Sequence, residues 1–432
     1  MFLANSYYRA LMKLTGTTPR SAVRRALPVA PRVGAAAALA VLLVGCSAAE
    51  AQQAKKADPR PVTSVVEHWG SFFGGRKGNF DTQMSPVAVT LPGIVAQVGS
   101  SNSTQYALLT DGRLYAWGLG TQGQLGDGQR KNSFTKPVRV RFPAGVRIAS
   151  IPTDVMPYDT GLAVDSRGHV WGWGHNGGGQ LCLGDRKAHD TPVRLPFTHV
   201  TALAGASNHA LYDADGTVYA CGQNVEGDLG TGSRRGTTRP LPVAGLQSQK
   251  VVSLAASFAN SGALLANGDY YDWGYDADGQ LGDGKINKAS DVPVKVKLST
   301  PVVQVAQGGS LWGNGATLVM LSDGTLRAWG DNWAGQLGNR KRGLQASPIL
   351  IRPPADVTYQ SLATGSATSY AVATDGNVYA WGARHVGQVG NGSDRTVLRP
   401  VLILGGATSI SSTANNVVVS VPRKLCSRQW CS

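Results

Sequence analysis

Between residues 70 and 382 one short segment returns at nearly even spacing, and a chain that repeats itself at such an interval has few architectures open to it. The segment reads Asp111-Gly112-Arg113-Leu114-Tyr115-Ala116-Trp117-Gly118. It returns at Arg167-Gly168 to Trp173-Gly174, Asp215-Gly216 to Cys221-Gly222 and Asn267-Gly268 to Trp273-Gly274. Two more copies run from Asp323-Gly324 to Trp329-Gly330 and from Asp375-Gly376 to Trp381-Gly382. Trp69-Gly70 stands upstream as a seventh Trp-Gly without its Asp-Gly partner. Gly70 to Gly382 is 312 residues in six steps, a mean of 52 per unit.

Each unit carries strand-like pieces in one order. Pro137 to Val140 alternates with period two; then come a piece such as Val302 to Ala306, one such as Leu318 to Leu321, an Asp-Gly turn, and Leu326 to Trp329. Asp-Gly between two β-rich runs is a strong hairpin signal, because glycine accepts a positive φ without a Cβ clash. Four short strands per unit, with no helical period between them, predict antiparallel blades of a β-propeller. The ends set the blade count. After Pro400 the chain offers Val401 to Leu404, Thr408 to Ser411 and Val417 to Val421, then no further Asp-Gly or Trp-Gly. Ser64 to Gly70 supplies the missing piece, so an all-β ring of seven four-stranded blades is predicted over residues 62–422. The N-terminal strand joins the C-terminal blade, and closure removes the sheet edges that would template aggregation.

With the repeat in view, the run Asp323 to Gly338 (DGTLRAWGDNWAGQLG) resembles the regulator-of-chromosome-condensation repeat, and Gly123 to Gly126 and Gly279 to Gly282 fit its Gly-Gln-Leu-Gly tail. The resemblance spans about 360 residues, roughly Val62 to Val421. It implies a seven-bladed propeller acting as a protein-interaction scaffold. Nucleotide exchange on a small GTPase, or inhibition of a secreted hydrolase, are alternatives by family analogy alone. The chain departs from the pattern in places. The first unit is degenerate at Arg76 to Phe80, Cys221 replaces a tryptophan, and Cys182 interrupts Gln180 to Gly184. Thr104, Thr160, Asn208, Asn260, Ala316 and Thr368 stand where the family often has histidine.

The first 45 residues carry a different message. They hold six basic residues and no acidic one, and the apolar stretch Val33 to Gly45 ends at Cys46. A positive region followed by ~7–15 apolar residues is the pattern of a secretory signal. Leu43-Val44-Gly45-Cys46 resembles the cleavage box of bacterial lipoproteins, whose cysteine takes a lipid. Cleavage near Ala48 and Ala49 is the alternative, Met12 is a second candidate start, and the surroundings of Arg24-Arg25 fit twin-arginine export poorly. The expectation is a signal over 1–45, a lipid on Cys46, a tether over 46–61 and a tail over 423–432. The protein would sit on the outer face of the cell membrane, or be secreted if it lacks the lipid. Removing 1–45 takes the net charge from +15 to +9, since 41 Lys and Arg fall to 35 while 26 Asp and Glu stay.

Composition excludes several classes. Only 16% of residues are charged and 42% are hydrophobic, which rules out a disordered chain or a coiled coil. No apolar run reaches the ~20 residues of a membrane-spanning helix. Gly118-x-Gly120-x-x-Gly123 and Gly172-x-Gly174-x-x-Gly177 satisfy a dinucleotide fingerprint, but no helical pattern follows to receive a pyrophosphate. Gly279 to Lys285 has phosphate-loop spacing, with Ile286 where a hydroxyl is required. Asp276-Ala277-Asp278-Gly279 starts like a calcium loop but lacks the later carboxylates. The seven histidines never fall at metal spacing and no Gly-x-Ser-x-Gly occurs, so no enzyme, cofactor or metal is expected. Cys426 and Cys431 are expected to close a small disulfide loop, whereas Cys182 and Cys221 are read as small apolar packers.

The four residues after each Trp-Gly vary while the frame stays fixed, and in a propeller these loops emerge on one rim. Candidate partner-binding residues are therefore His175, Asn176, Glu226, Tyr275, Asp276, Asp278, Asn332, Trp333, Arg384 and His385. The expected partner is an envelope or extracellular protein, with an anionic wall polymer as the alternative on the residual +9. No nucleic acid is expected, membrane contact would be through the lipid alone, and the protein is expected to be a monomer.

Overall fold

The computed structural model describes residues 64–72, 81–152, 155–309, 315–383, 386–413 and 415–421. They form seven four-stranded antiparallel blades with no helix among the described residues, arranged as a propeller ring, and the two-residue strand Val155–Met156 adds in parallel to the inner edge of the first. The first blade shows the plan. Val95–Ser101 lines the axis, Thr104–Leu109 and Leu114–Gly118 follow outward, and Ser133–Arg139 forms the circumference. Gly118 pairs with Thr104, so each Trp-Gly lies at the same end as the turn between the two inner strands. The Asp-Gly hairpins occupy the opposite face; Thr110 N–H donates to Ile94 O there.

Closure uses two N-terminal strands rather than one. β1 (Ser64–Phe72) pairs with Asn416–Val421, and β2 (Asp81–Leu91) pairs with β1 on its outer side. The seventh blade is thus half N-terminal and half C-terminal, with Val65 opposite Val421 and Val66 opposite Val89. Ser64 enters at the Asp-Gly face, because Gly70 at the other end of β1 pairs with Asn416.

The core lies between blades. Trp69, Trp117, Trp173, Trp273, Trp329 and Trp381 are fully buried. Each of five indoles donates to a backbone carbonyl in the preceding blade's loop: Trp173 to Gln124, Trp273 to Asp228, Trp329 to Gln280, Trp381 to Gln336 and Trp69 to Gln388, at 2.8–2.9 Å. The glycine of Gly-Gln-Leu-Gly is required by this contact. A Cβ at Gly282 would stand 2.7 Å from the Trp329 indole nitrogen, with a backbone φ of +63°.

At one junction the rule is replaced. Cys221 stands for the tryptophan, Cys182 stands for the glycine it would touch, and the two are joined by a disulfide with Cα atoms 5.5 Å apart. This corrects the reading of both as separate apolar packers. Each is buried, but they meet because they occupy the two positions that touch at the other described junctions. The Tyr212 hydroxyl donates to Gln180 O at 2.9 Å, as Tyr106 does to Gln124 O and Tyr370 to Gln388 O beside their indoles, so this bond is kept where the indole is lost, and Phe197 stacks on Tyr212 at 4.3 Å.

A cavity of about 480 Å³ runs along the axis, lined by the first halves of the inner strands, including Gln97, Ser253, Gln304 and Ser361. No helix among the described residues is long and apolar enough to cross a membrane.

Candidate interaction surface

The loop that follows the Trp-Gly position is long, and in four blades its start and end are tied together by one buried side chain. In the third blade Asn224, only 2% exposed, accepts from Leu229 N–H at 2.9 Å and donates to Ser233 O and Arg235 O at 2.7 and 3.2 Å. Asn332 repeats this in the fifth blade, accepting from Leu337 N–H and donating to Asn339 Oδ1 and Lys341 O. Asn176 accepts from Leu181 N–H and donates to Asp185. Asp276 accepts from Leu281 N–H with one carboxylate oxygen and from Asn287 N–H and Nδ2 with the other.

Asn176, Asp276 and Asn332 are wholly buried, so three of the ten rim candidates are corrected: their polar groups are consumed inside the loop. Burial in an apolar setting demands such pairing, since an unpaired buried polar group costs about 1–3 kcal/mol. Arg384 and His385 lie outside the described residues, as do Cys46, Cys426 and Cys431.

The other five candidates reach the surface. Trp333 is 63% exposed, held by its own N–H donating to Asp331 Oδ1 at 2.8 Å. His175 is half-buried, with its ring Nδ1 3.3 Å from Gln180 Nε2. Glu226, Tyr275 and Asp278 form an electrostatically linked arc over two adjacent blades. Burial pushes the Tyr275 hydroxyl up, and the neighbouring Asp278 and Glu226 carboxylates push it further. Asp331 is raised mainly by burial and then by Asp278, which extends the arc to the loop that carries Trp333. Val225, 66% exposed, sits beside Glu226.

One carboxyl in this region escaped sequence reasoning. Asp228 takes the place of the glutamine of Gly-Gln-Leu-Gly. Elsewhere that glutamine's Oε1 accepts from the N–H two residues earlier, as Gln280 does from Asp278 and Gln336 from Ala334. Asp228 is 6% exposed and its pKa is pushed up to about 8, chiefly by burial and then by Glu226. Among the described residues, no group of three or more His, Cys, Asp or Glu is placed to hold a metal ion.

The comparisons with known proteins agree with this architecture. The model of the regulator of chromosome condensation (RCC1) repeat matches residues 111–152, 167–212, 215–264, 267–311 and 375–425. The fifth blade lies largely between these matches, yet has the same four strands. The Arabidopsis thaliana ultraviolet-B receptor UVR8 is 30% identical over 339 residues, covering 76% of this chain and 75% of that protein. The human E3 ubiquitin-protein ligase HERC2 is 30% identical over 306 residues, covering 68% of this chain but 6% of the ligase. Among solved structures, Prp20p from Saccharomyces cerevisiae superposes with a TM-score of 0.70 at 21% identity, over 84% of this chain and 92% of that one. Human WBSCR16 gives 0.71 at 19% identity, over 84% and 100%. Since the repeat matches take up more than half of the residues and UVR8 is matched over three-quarters of its length, the chain belongs to the RCC1 repeat family.

Proposed function

We propose that this protein is an exported, lipid-anchored and non-catalytic propeller of the cell envelope that binds another protein through its Trp-Gly rim. The observation that carries the binding surface is Trp333, 63% exposed on a loop whose flanking Asp331 and Asn332 are buried. A large aromatic held out by a pinned backbone loses little entropy on binding, and Trp and Tyr are enriched in binding hot spots. A stable partner needs about 800 Å² of such a surface, which a propeller face offers. The structural relative Prp20p is itself described by its binding to Gsp1p and histones. Export is supported by the leader pattern of residues 1–45 and by the buried Cys182–Cys221 disulfide, a bond that persists in oxidising compartments.

Crosslinking in intact cells tests the reading. Wild-type protein should capture one envelope protein, and W333A/Y275A should lose it while keeping the wild-type melting curve. Capture that survives this double substitution removes the rim from consideration. Fractionation of C46A tests the anchor: the variant should leave the membrane fraction, and one that stays there contradicts the lipid.

A further inference from the structure

The second half of each Trp-Gly loop carries a feature that protein capture at Trp333 does not use. The turns at 127–131, 185–188, 231–236, 283–288, 339–342 and 391–395 together hold twelve Lys or Arg against four Asp, in thirty residues of a chain whose total charge is +15. Every one of the twelve, at 130–131, 186–187, 234–235, 285, 288, 340–342 and 395, is exposed. Arg234 lies 3.9 Å from Glu226 and Lys285 lies 3.9 Å from Asp283; the other ten are in no ion pair among the described residues. Since the loops occupy equivalent places in six blades, the cations form a crown around one face. The buried asparagines hold it in place: Asn224 binds the carbonyl of Arg235 and Asn332 that of Lys341.

We infer that this crown is a docking site for a flexible linear polyanion, a phosphate-bearing polymer without bases. Charges set on a circle select for flexibility. A DNA duplex, with a persistence length of about 50 nm, is straight over such a distance and touches a circle along a chord, reaching two or three turns. A single flexible chain can follow the circumference and neutralise all of them. Single-stranded nucleic acid gains most of its base-directed affinity by stacking on aromatics, and the six turns contain none. A bilayer surface rewards apolar side chains that enter it, and the large apolar residue exposed in these turns is Ile286 alone. The crown also lies on the face opposite the start of β1 at Ser64.

Inorganic polyphosphate of ~60 units is the probe, with the full chain and binding followed across a salt series. Each neutralised phosphate contributes about −0.7 to the log–log salt slope for a single-stranded polymer, so twelve contacts give a slope of about −8. The pair variants R130Q/K131Q, R234Q/R235Q and R340Q/K341Q sit on separated blades. Each should shrink the slope by about 1.4 and weaken binding to a comparable extent, and the three combined should about halve the slope. R130K and R234K keep the charge and should keep the slope, and melting curves of all variants should match wild type. W333A should bind polyphosphate normally, which separates this site from the protein-binding reading. A loss confined to one pair, or an unchanged slope in all three, overturns the crown. Duplex DNA of equal phosphate number, or vesicles with 30% phosphatidylglycerol, binding as tightly as polyphosphate overturns the flexible-polymer assignment.

Discussion

Breaking the Cys182–Cys221 bond is the most direct probe of how this ring is held. The bond closes a loop of 39 residues between the second and third blades. In the chain-entropy account a crosslink of that span restricts the unfolded chain by about 13 cal/mol/K, or about 4 kcal/mol at 25 °C. A propeller of ~350 ordered residues unfolds with an entropy of about 0.7 kcal/mol/K near its midpoint, so the loss corresponds to about 5 °C. Thermal and denaturant melts of wild type with and without dithiothreitol, and of C182S/C221S, measure it. Reduced wild type and the double serine variant should coincide, both lower by that amount. Both should also show a steeper denaturant dependence, because the unlinked chain exposes more surface on unfolding. Replacing Cys182 by glycine in the unlinked background should recover about 1 kcal/mol, since this residue sits at φ +58°, where a Cβ is strained. A midpoint that dithiothreitol moves by less than ~1 °C, with C182S/C221S equal to wild type, would refute the latch.

Three further outcomes follow from buried groups. Asp228 is raised to about 8 from an ordinary value of 3.8, so the folded state favours its protonated form. Its stabilising protonation is complete below pH ~4 and is lost as pH climbs from 4 through 8; D228Q, which restores the glutamine of the repeat, should flatten this slope and gain about 1–3 kcal/mol at pH 9 in urea melts. N224A removes the acceptor of Leu229 N–H and the donor to Ser233 and Arg235, and chemical denaturation should show a loss of about 2–3 kcal/mol. The two tryptophans Trp69 and Trp333 should part company in the same assay. W69A opens the closing blade at a cost of about 3–5 kcal/mol, while W333A stays within ~0.5 kcal/mol of wild type.

The blade count and the closing seam were legible because tryptophan, glycine and Asp-Gly sit at positions where geometry leaves little choice. Gly282 shows why: a side chain there would enter the indole of the next blade. The two-strand contribution of β1 and β2 was only half visible, because β2 lacks a Trp-Gly of its own. The rim was harder. Asn176, Asn224, Asp276 and Asn332 are polar, so they read as surface, yet their recurrence at one loop position was the mark of an internal role. The position that does differ freely holds Thr121, Val225, Ala277 and Trp333, and Thr121, Val225 and Trp333 are exposed. The disulfide needed spatial knowledge. Cys182 and Cys221 are 39 residues apart, and nothing in that separation says that a loop glycine of one blade rests on the tryptophan of the next.

A single loop therefore does two kinds of work that do not interfere. Its glutamine or Asp228 backbone carbonyl receives the next blade's indole, and its buried Asn or Asp folds the far half back onto the near half. Those contacts use backbone atoms and a few side chains, among them Arg186 donating to Gly177 O, and leave the third residue and most basic side chains of the turn exposed. Substitution there changes the surface while the ring is preserved, which is how one rim can present aromatic and acidic groups in one sector and cations in the turns of six blades. The Cys182–Cys221 junction is the exception that supports the rule. Where the indole and its glycine are both gone, a covalent bond closes the junction, and the tyrosine-to-carbonyl bond that Tyr106 and Tyr370 make elsewhere is kept by Tyr212.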